Sequence, residues 1–130
     1  MKLYRYLSRL QSTIYSRREI QVERLITHLT TAFNGRIWGR LRFYDGSLLG
    51  FEEKLTLRDD DIEKIDYRYH YQRADGMLVV RYDNAPHHPE LPGFPNHRHT
   101  PTGVEPTEPP DLSEVLKEID TYLYLAESKT

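Results

Sequence analysis

An α+β fold is predicted for this sequence: an antiparallel β-meander of four to five strands with an N-terminal and a C-terminal helix, interrupted by a long Pro/His-rich loop. Three observations predict it. Short runs of apolar/polar alternation are separated by Asn-Gly and Asp-Gly turn signals. The last segment carries an apolar stripe at helical spacing behind an acidic cap. All eight prolines fall at or after Pro86, which confines long irregular structure to one part of the chain.

The length of 130 residues fits one domain over 1–130, and a hydrophobic share of 38% supplies one modest core. No apolar run approaches the roughly 18–20 residues of a membrane span, and Met1 opens no signal-peptide pattern, so a cytoplasmic protein with no membrane partner is expected. Cysteine is absent, which removes disulfides, thiolate catalysis and cysteine zinc ligation. Net charge is −2, but residues 1–44 hold nine Lys or Arg against Glu19 and Glu23, while the remainder holds nine basic and eighteen acidic residues. A basic third of this kind suits nucleic acid or a charge-matched partner, although on charge alone a solvated surface is the favoured reading.

The first helix is read from Leu3, Leu7 and Leu10. Between Glu19 and Phe33 both periods fit. Asn34-Gly35 decides for a strand in the latter part, because both residues tolerate the positive φ of a type I′ turn. The next strand, Arg36 to Tyr44, places Ile37, Gly39, Leu41 and Phe43 on one face. The strand after it aligns Leu49, Phe51, Leu55 and Leu57. Matching these two rows requires a three-residue loop, Tyr44-Asp45-Gly46 with Gly46 left-handed, and Leu49 opposite Leu41.

Asp59-Asp60-Asp61 breaks the run before a fourth strand, Ile65 to Gln72. Tyr67, Tyr69 and Tyr71 alternate there with Arg68, His70 and Gln72. A two-residue Asp75-Gly76 loop then pairs Tyr71 with Val80, Tyr69 with Tyr82, His70 with Arg81, and Arg68 with Asp83. The tyrosine row suits base stacking or a core, and its partners Leu78 and Val80 favour the core. Residues 85–110 are read as an irregular loop without a regular helix or central strand. Residues 111–127 form the closing helix, with Asp111 as N-cap, Glu114 at N3, and Leu112, Val115, Leu116, Ile119 and Leu123 on one face.

Five of the six histidines lie between His70 and His99. Histidine exchanges protons near neutral pH and is the commonest metal ligand. The prolines spaced among His87, His88, His97 and His99 stiffen the backbone that carries them. Three readings compete: a His/carboxylate metal site from His87 or His88 with His97, His99 and Asp83; metal-independent acid–base chemistry; and a fixed loop whose histidines bond carbonyls. No ligand spacing such as His-Glu-x-x-His is present. The His70–Arg81 pair favours acid–base chemistry, since a guanidinium disfavours imidazolium and also suits phosphate.

The strings Tyr69-His70-Tyr71-Gln72, Asp75-Gly76, Arg81 to Pro92, and Phe94-Pro95-Asn96-His97-Arg98-His99 resemble the TumE family. The Asp45-Gly46-Ser47-Leu48-Leu49 turn and the Pro109-Pro110-led helix are also similar to its pattern. Asn96 departs from the histidine of that pattern. The resemblance implies a toxin of a prokaryotic toxin–antitoxin module with a cognate antitoxin partner, typically a helix-turn-helix protein.

The function expected is therefore a type II toxin acting on RNA or translation by histidine-based RNA cleavage, with no cofactor and no metal. His70, His87, His88, Arg81 and Asp83 are the expected catalytic residues. Arg68, Tyr82, Asn84, His97 and His99 are the expected substrate-binding ones. A non-enzymatic inhibitor module and a metal-dependent hydrolase with a His/Asp site are the alternatives, and a homo-oligomer is left open.

Overall fold

Seven strands, rather than four or five, pair antiparallel in chain order to make one open sheet. They are β1 (Ile20–Leu29), β2 (Asn34–Phe43), β3 (Leu48–Arg58), β4 (Asp61–Gln72), β5 (Leu78–Asp83), β6 (His97–Thr100) and β7 (Gly103–Pro106), between α1 (Lys2–Tyr15) and α2 (Leu112–Ser128). The computed structural model describes residues 2–128, with side chains as far as Tyr124. No helix among these residues is long and apolar enough to cross a membrane.

Both helices lie on the same face of the sheet. Leu3, Leu7, Leu10 and Ile14 of α1 and Leu112, Val115, Leu116, Ile119 and Leu123 of α2 are buried against Ile37, Leu41, Leu49, Phe51, Tyr69 and their neighbours. Removing that much apolar surface from water is the main favourable term of the fold. The capping box of α2 forms reciprocally: the Glu114 amide donates to Asp111 Oδ1 at 2.8 Å, and the Asp111 amide to Glu114 Oε1 at 3.4 Å. The tyrosine row is core, with Tyr67, Tyr69 and Tyr71 at 3% exposure or less. The opposite face of the sheet carries no helix among the described residues.

The β2–β3 hairpin has the predicted register, Leu41 opposite Leu49, with Gly46 at φ +87°. Gly39 is required for another reason. A Cβ there would lie 2.6 Å from the Phe51 ring on the neighbouring strand.

Three local expectations are corrected. Asn34-Gly35 is not the turn: β1 pairs Leu29 with Gly35, and Thr30–Phe33 reverse the chain. Gly35 is used for close approach instead, since a Cβ there would sit 3.3 Å from Leu3 and 3.2 Å from Leu29. The β4–β5 loop is longer than Asp75-Gly76, because the Arg73 amide donates to Met77 O and leaves Ala74-Asp75-Gly76 between them. A bulge next to Tyr71/Gln72 absorbs the extra residue, so all four predicted pairs, from Tyr71–Val80 to Arg68–Asp83, are still found.

The largest correction concerns residues 85–110, which hold β6 and β7 rather than only a loop. Residues 96–100 contain no proline, so their amides are free to join a ladder. Pro101 falls in the turn between β6 and β7, and Pro106 closes the short edge strand.

Candidate functional site

Period-two geometry builds the site. On β4, Arg68 and His70 point away from the helices; on β5, Arg81 and Asp83 do; on β6, His97 and His99 do. The register stacks them in two cross-strand rows, His70–Arg81–His99 and Arg68–Asp83–His97. The chain between β5 and β6 then bends back so that His87 and His88 reach this face.

A cleft of about 360 Å³ results, lined by Glu52, Asp66, Tyr67, Arg68, Arg81, Asp83, Ala85, His87, His97 and His99. A larger cavity of about 500 Å³ lies at the other end of the sheet, among the 44–46 and 74–76 turns and Tyr122. It contains no histidine, so the smaller cleft is the chemically equipped one.

Asp83 and His97 form the floor. His97 is 1% exposed and Asp83 6%. His97 Nε2 lies 2.6 Å from Asp83 Oδ1, and His99 Nε2 lies 3.7 Å from Asp83 Oδ2. His97 Nδ1 donates to Pro95 O at 2.9 Å, and Asp83 Oδ1 accepts the Ala85 amide at 3.1 Å. Yet Nε2 of His97 makes no aligned hydrogen bond, so its close approach to Oδ1 is a contact without N–H···O geometry. The rings of His97 and His99 meet edge-on at 4.6 Å, and His88 packs edge-on against both at 5.7 and 6.1 Å. His88 holds this place with a left-handed backbone, φ +59°, and Nδ1 3.1 Å from Glu90 Oε1.

The walls are cationic. Arg81 Nε donates to His70 Nδ1 at 3.0 Å, while its terminal nitrogens have no hydrogen-bond partner among the described residues. Arg68 is exposed and makes no ion pair there. Burial first, and then Arg81, hold His70 below its usual value of 6.5, with Arg68 adding to the effect and a Gln72 hydrogen bond opposing it. His70 is thus kept neutral, as the sequence predicts. Its Nδ1 lone pair is already used by Arg81, which leaves it better suited to aiming that guanidinium than to taking a proton. Burial likewise lowers His99, with His97, Arg81 and His88 adding and Asp83 opposing.

Of the ten residues singled out in the sequence, eight converge on this face: Arg68, His70, Arg81, Asp83, His87, His88, His97 and His99. Tyr82 does not. It points to the helix side, where its hydroxyl donates to Glu118 of α2 at 2.6 Å and accepts from Arg98 at 2.9 Å. Asn84 caps the neighbouring strand instead, accepting the Tyr67 amide at 2.9 Å. Sequence reasoning did not find Glu52 and Asp66 at the rim. Glu52 stands opposite Arg68 on β3 only because a bulge at Lys54/Leu55 shifts the register by one from that set by the Asp59-Asp60 turn, and no sequence signal marks that bulge.

A protein-family model described as Toxin TumE matches residues 7–123. The chain belongs to the TumE family. Comparison with curated proteins and with solved structures gives no match. Membership of TumE suggests a toxin and, in general terms, an antitoxin partner. The matched span contains every residue of the cleft.

Proposed function

We propose that this TumE-family chain is the toxin of a type II toxin–antitoxin module, acts in the cytoplasm, and cleaves RNA by proton transfer between imidazoles and the scissile phosphodiester. One observation carries the reading: a single open cleft brings two guanidiniums with free donor atoms, Arg68 and Arg81, beside a cluster of imidazoles. RNA cleavage needs that combination. A base removes the 2′-hydroxyl proton, the freed oxygen attacks phosphorus, and an acid protonates the departing 5′-oxygen while cations hold the charge on the phosphorane.

His87 and His88 on the loop are the proton-transfer groups. Arg81 and Arg68 take the phosphate oxygens, the first through its terminal nitrogens. His70 positions Arg81, and Asp83 fixes His97 and His99. The antitoxin, a helix-turn-helix protein in this reading, neutralises the toxin by association.

Expression of the chain without its antitoxin should arrest growth. RNA sequencing after induction should reveal new 5′ ends that are missing with Arg81→Ala or His88→Ala. Each substitution should slow cleavage by purified protein on the order of 10²–10⁴-fold while circular dichroism stays unchanged. A folded Arg81→Ala/His88→Ala double variant as toxic as the parent would overturn the catalytic reading and leave a non-enzymatic inhibitor.

A further inference from the structure

We infer that Asp83, His97 and His99 form a binding site for a divalent transition-metal ion, with zinc the best match. This goes beyond the metal-free chemistry proposed above and rests on donor geometry alone.

The three donors come from paired strands. Asp83 of β5 stands opposite His97 of β6, and His99 follows two residues on, on the same face. One ligand atom from each residue lies within 4.8 Å of the other two. Neighbouring donors of a tetrahedral zinc site, each 2.0–2.1 Å from the metal, stand about 3.3 Å apart. The observed 2.6 Å and 3.7 Å contacts to Asp83 bracket that value.

The second observation is the unsatisfied nitrogen. His97 donates from Nδ1 to Pro95 O, so in the neutral ring Nε2 carries a lone pair. That lone pair is buried, has no aligned hydrogen bond, and lies 2.6 Å from a carboxylate oxygen that is also an acceptor. Two acceptors at this distance repel unless a cation lies between them. A proton would do so through an aligned N–H···O bond, and that alignment is absent. A metal ion needs no such alignment with the N···O vector, because it binds each donor along its own lone pair.

The surroundings are those of a ligand set already oriented. A backbone carbonyl fixes the tautomer of His97, and a backbone amide holds Asp83 Oδ1. Two imidazoles with one carboxylate favour zinc or a neighbouring transition ion over calcium or magnesium, which prefer oxygen. Three protein donors leave a coordination position open, and the arginine-walled cleft lies directly beside it.

The test uses the full chain purified without a polyhistidine tag, stripped with chelator and dialysed against zinc chloride. Stoichiometric zinc by mass spectrometry and a zinc-dependent rise in Tm are expected. Cobalt(II) should give visible absorption bands of a low-coordinate site. His99→Gln, chosen because His99 is only partly buried, and Asp83→Asn should both lose stoichiometric binding while keeping the circular dichroism of the parent, and His28→Ala should keep the metal. Substoichiometric zinc in the parent, or full binding by folded His99→Gln, would overturn the site. The nuclease reading fails separately. Stoichiometric zinc with intact RNA refutes RNA cleavage and upholds the metal site, whereas RNA cleavage by protein that takes up no zinc does the reverse.

Discussion

Glu53 is fully buried in the helix-covered face, a position that charged side chains occupy only with partners. Tyr6 of α1 donates to its Oε1 at 2.5 Å and Tyr69 of β4 to its Oε2, while Lys64 donates to Tyr69 at 2.7 Å. Burial and the adjoining carboxylate both raise the two phenols, which therefore stay protonated as donors. This network joins α1 to β3 and β4 through groups that the low-dielectric core would penalise if left alone. Glu53→Ala strands two buried hydroxyls and should lower unfolding free energy by about 3 kcal/mol in urea titrations. Glu53→Gln, which keeps one acceptor oxygen, should cost less. Equal stability of Glu53→Ala and parent would mean the network contributes nothing net. This residue is not legible ahead of the structure, because in the period-two pattern Glu53 reads as an ordinary interruption of an apolar row.

The elements that could be read ahead of the structure are those whose local chemistry and tertiary demand agree. The α2 capping box and the Leu41–Leu49 register are cases of this kind, as is the face shared by His70, Arg81 and Asp83. Asn34-Gly35 was misleading because the glycine serves packing under α1, a need that only the assembled helix creates. His97 and His99 read as loop residues because a proline-rich segment masks a short stretch able to pair. The Asp83–His97 contact is not legible in the sequence, since it exists only once β6 lies beside β5. The Asp59-Asp60 turn shows the opposite case, in which pairing overrides local preference. Both residues have positive φ, 50° and 65°, in the two-residue link between β3 and β4. Asp60→Gly should relieve this and raise unfolding free energy by about 0.5 kcal/mol, checked by the urea midpoint. The exposed Lys2–Asp60 ion pair lost with it is a weak contact. A destabilised Asp60→Gly protein would show that the left-handed pair is not strained.

At the scale of the whole molecule, five of the nine basic residues in the N-terminal third are held in ion pairs, Lys2 by Asp60 among them. Glu23 holds Arg40 and Arg42, Glu52 holds Arg36, and Arg17 bonds Glu19 and Asp120. The cleft adds Arg68 and Arg81, which form no ion pair among the described residues, on the less extensively paired side of the sheet. The β3–β4 ladder runs from Leu48–Gln72 to Arg58–Asp61, whereas β5 and β6 pair only from Arg81–His99 to Asp83–His97. β7 follows as a short, largely exposed edge. Arg98 counters this looseness by bonding Glu105 of β7 and Glu118 of α2, clamping β6 from the helix side. Local opening free energy falls where buried apolar contact is sparse. Backbone amides of β3 and β4 should therefore exchange with deuterium only on global unfolding, while those of β6 and β7 exchange through smaller openings, at least tenfold faster. Zinc bound between Asp83 and the two β6 histidines would cross-link β5 to β6, and should slow exchange in β6 selectively. Arg98→Ala should speed exchange in β6 and β7 without altering β3. Uniform protection from β3 through β7 would contradict this gradient, and would place the cleft on a frame as rigid as the core itself.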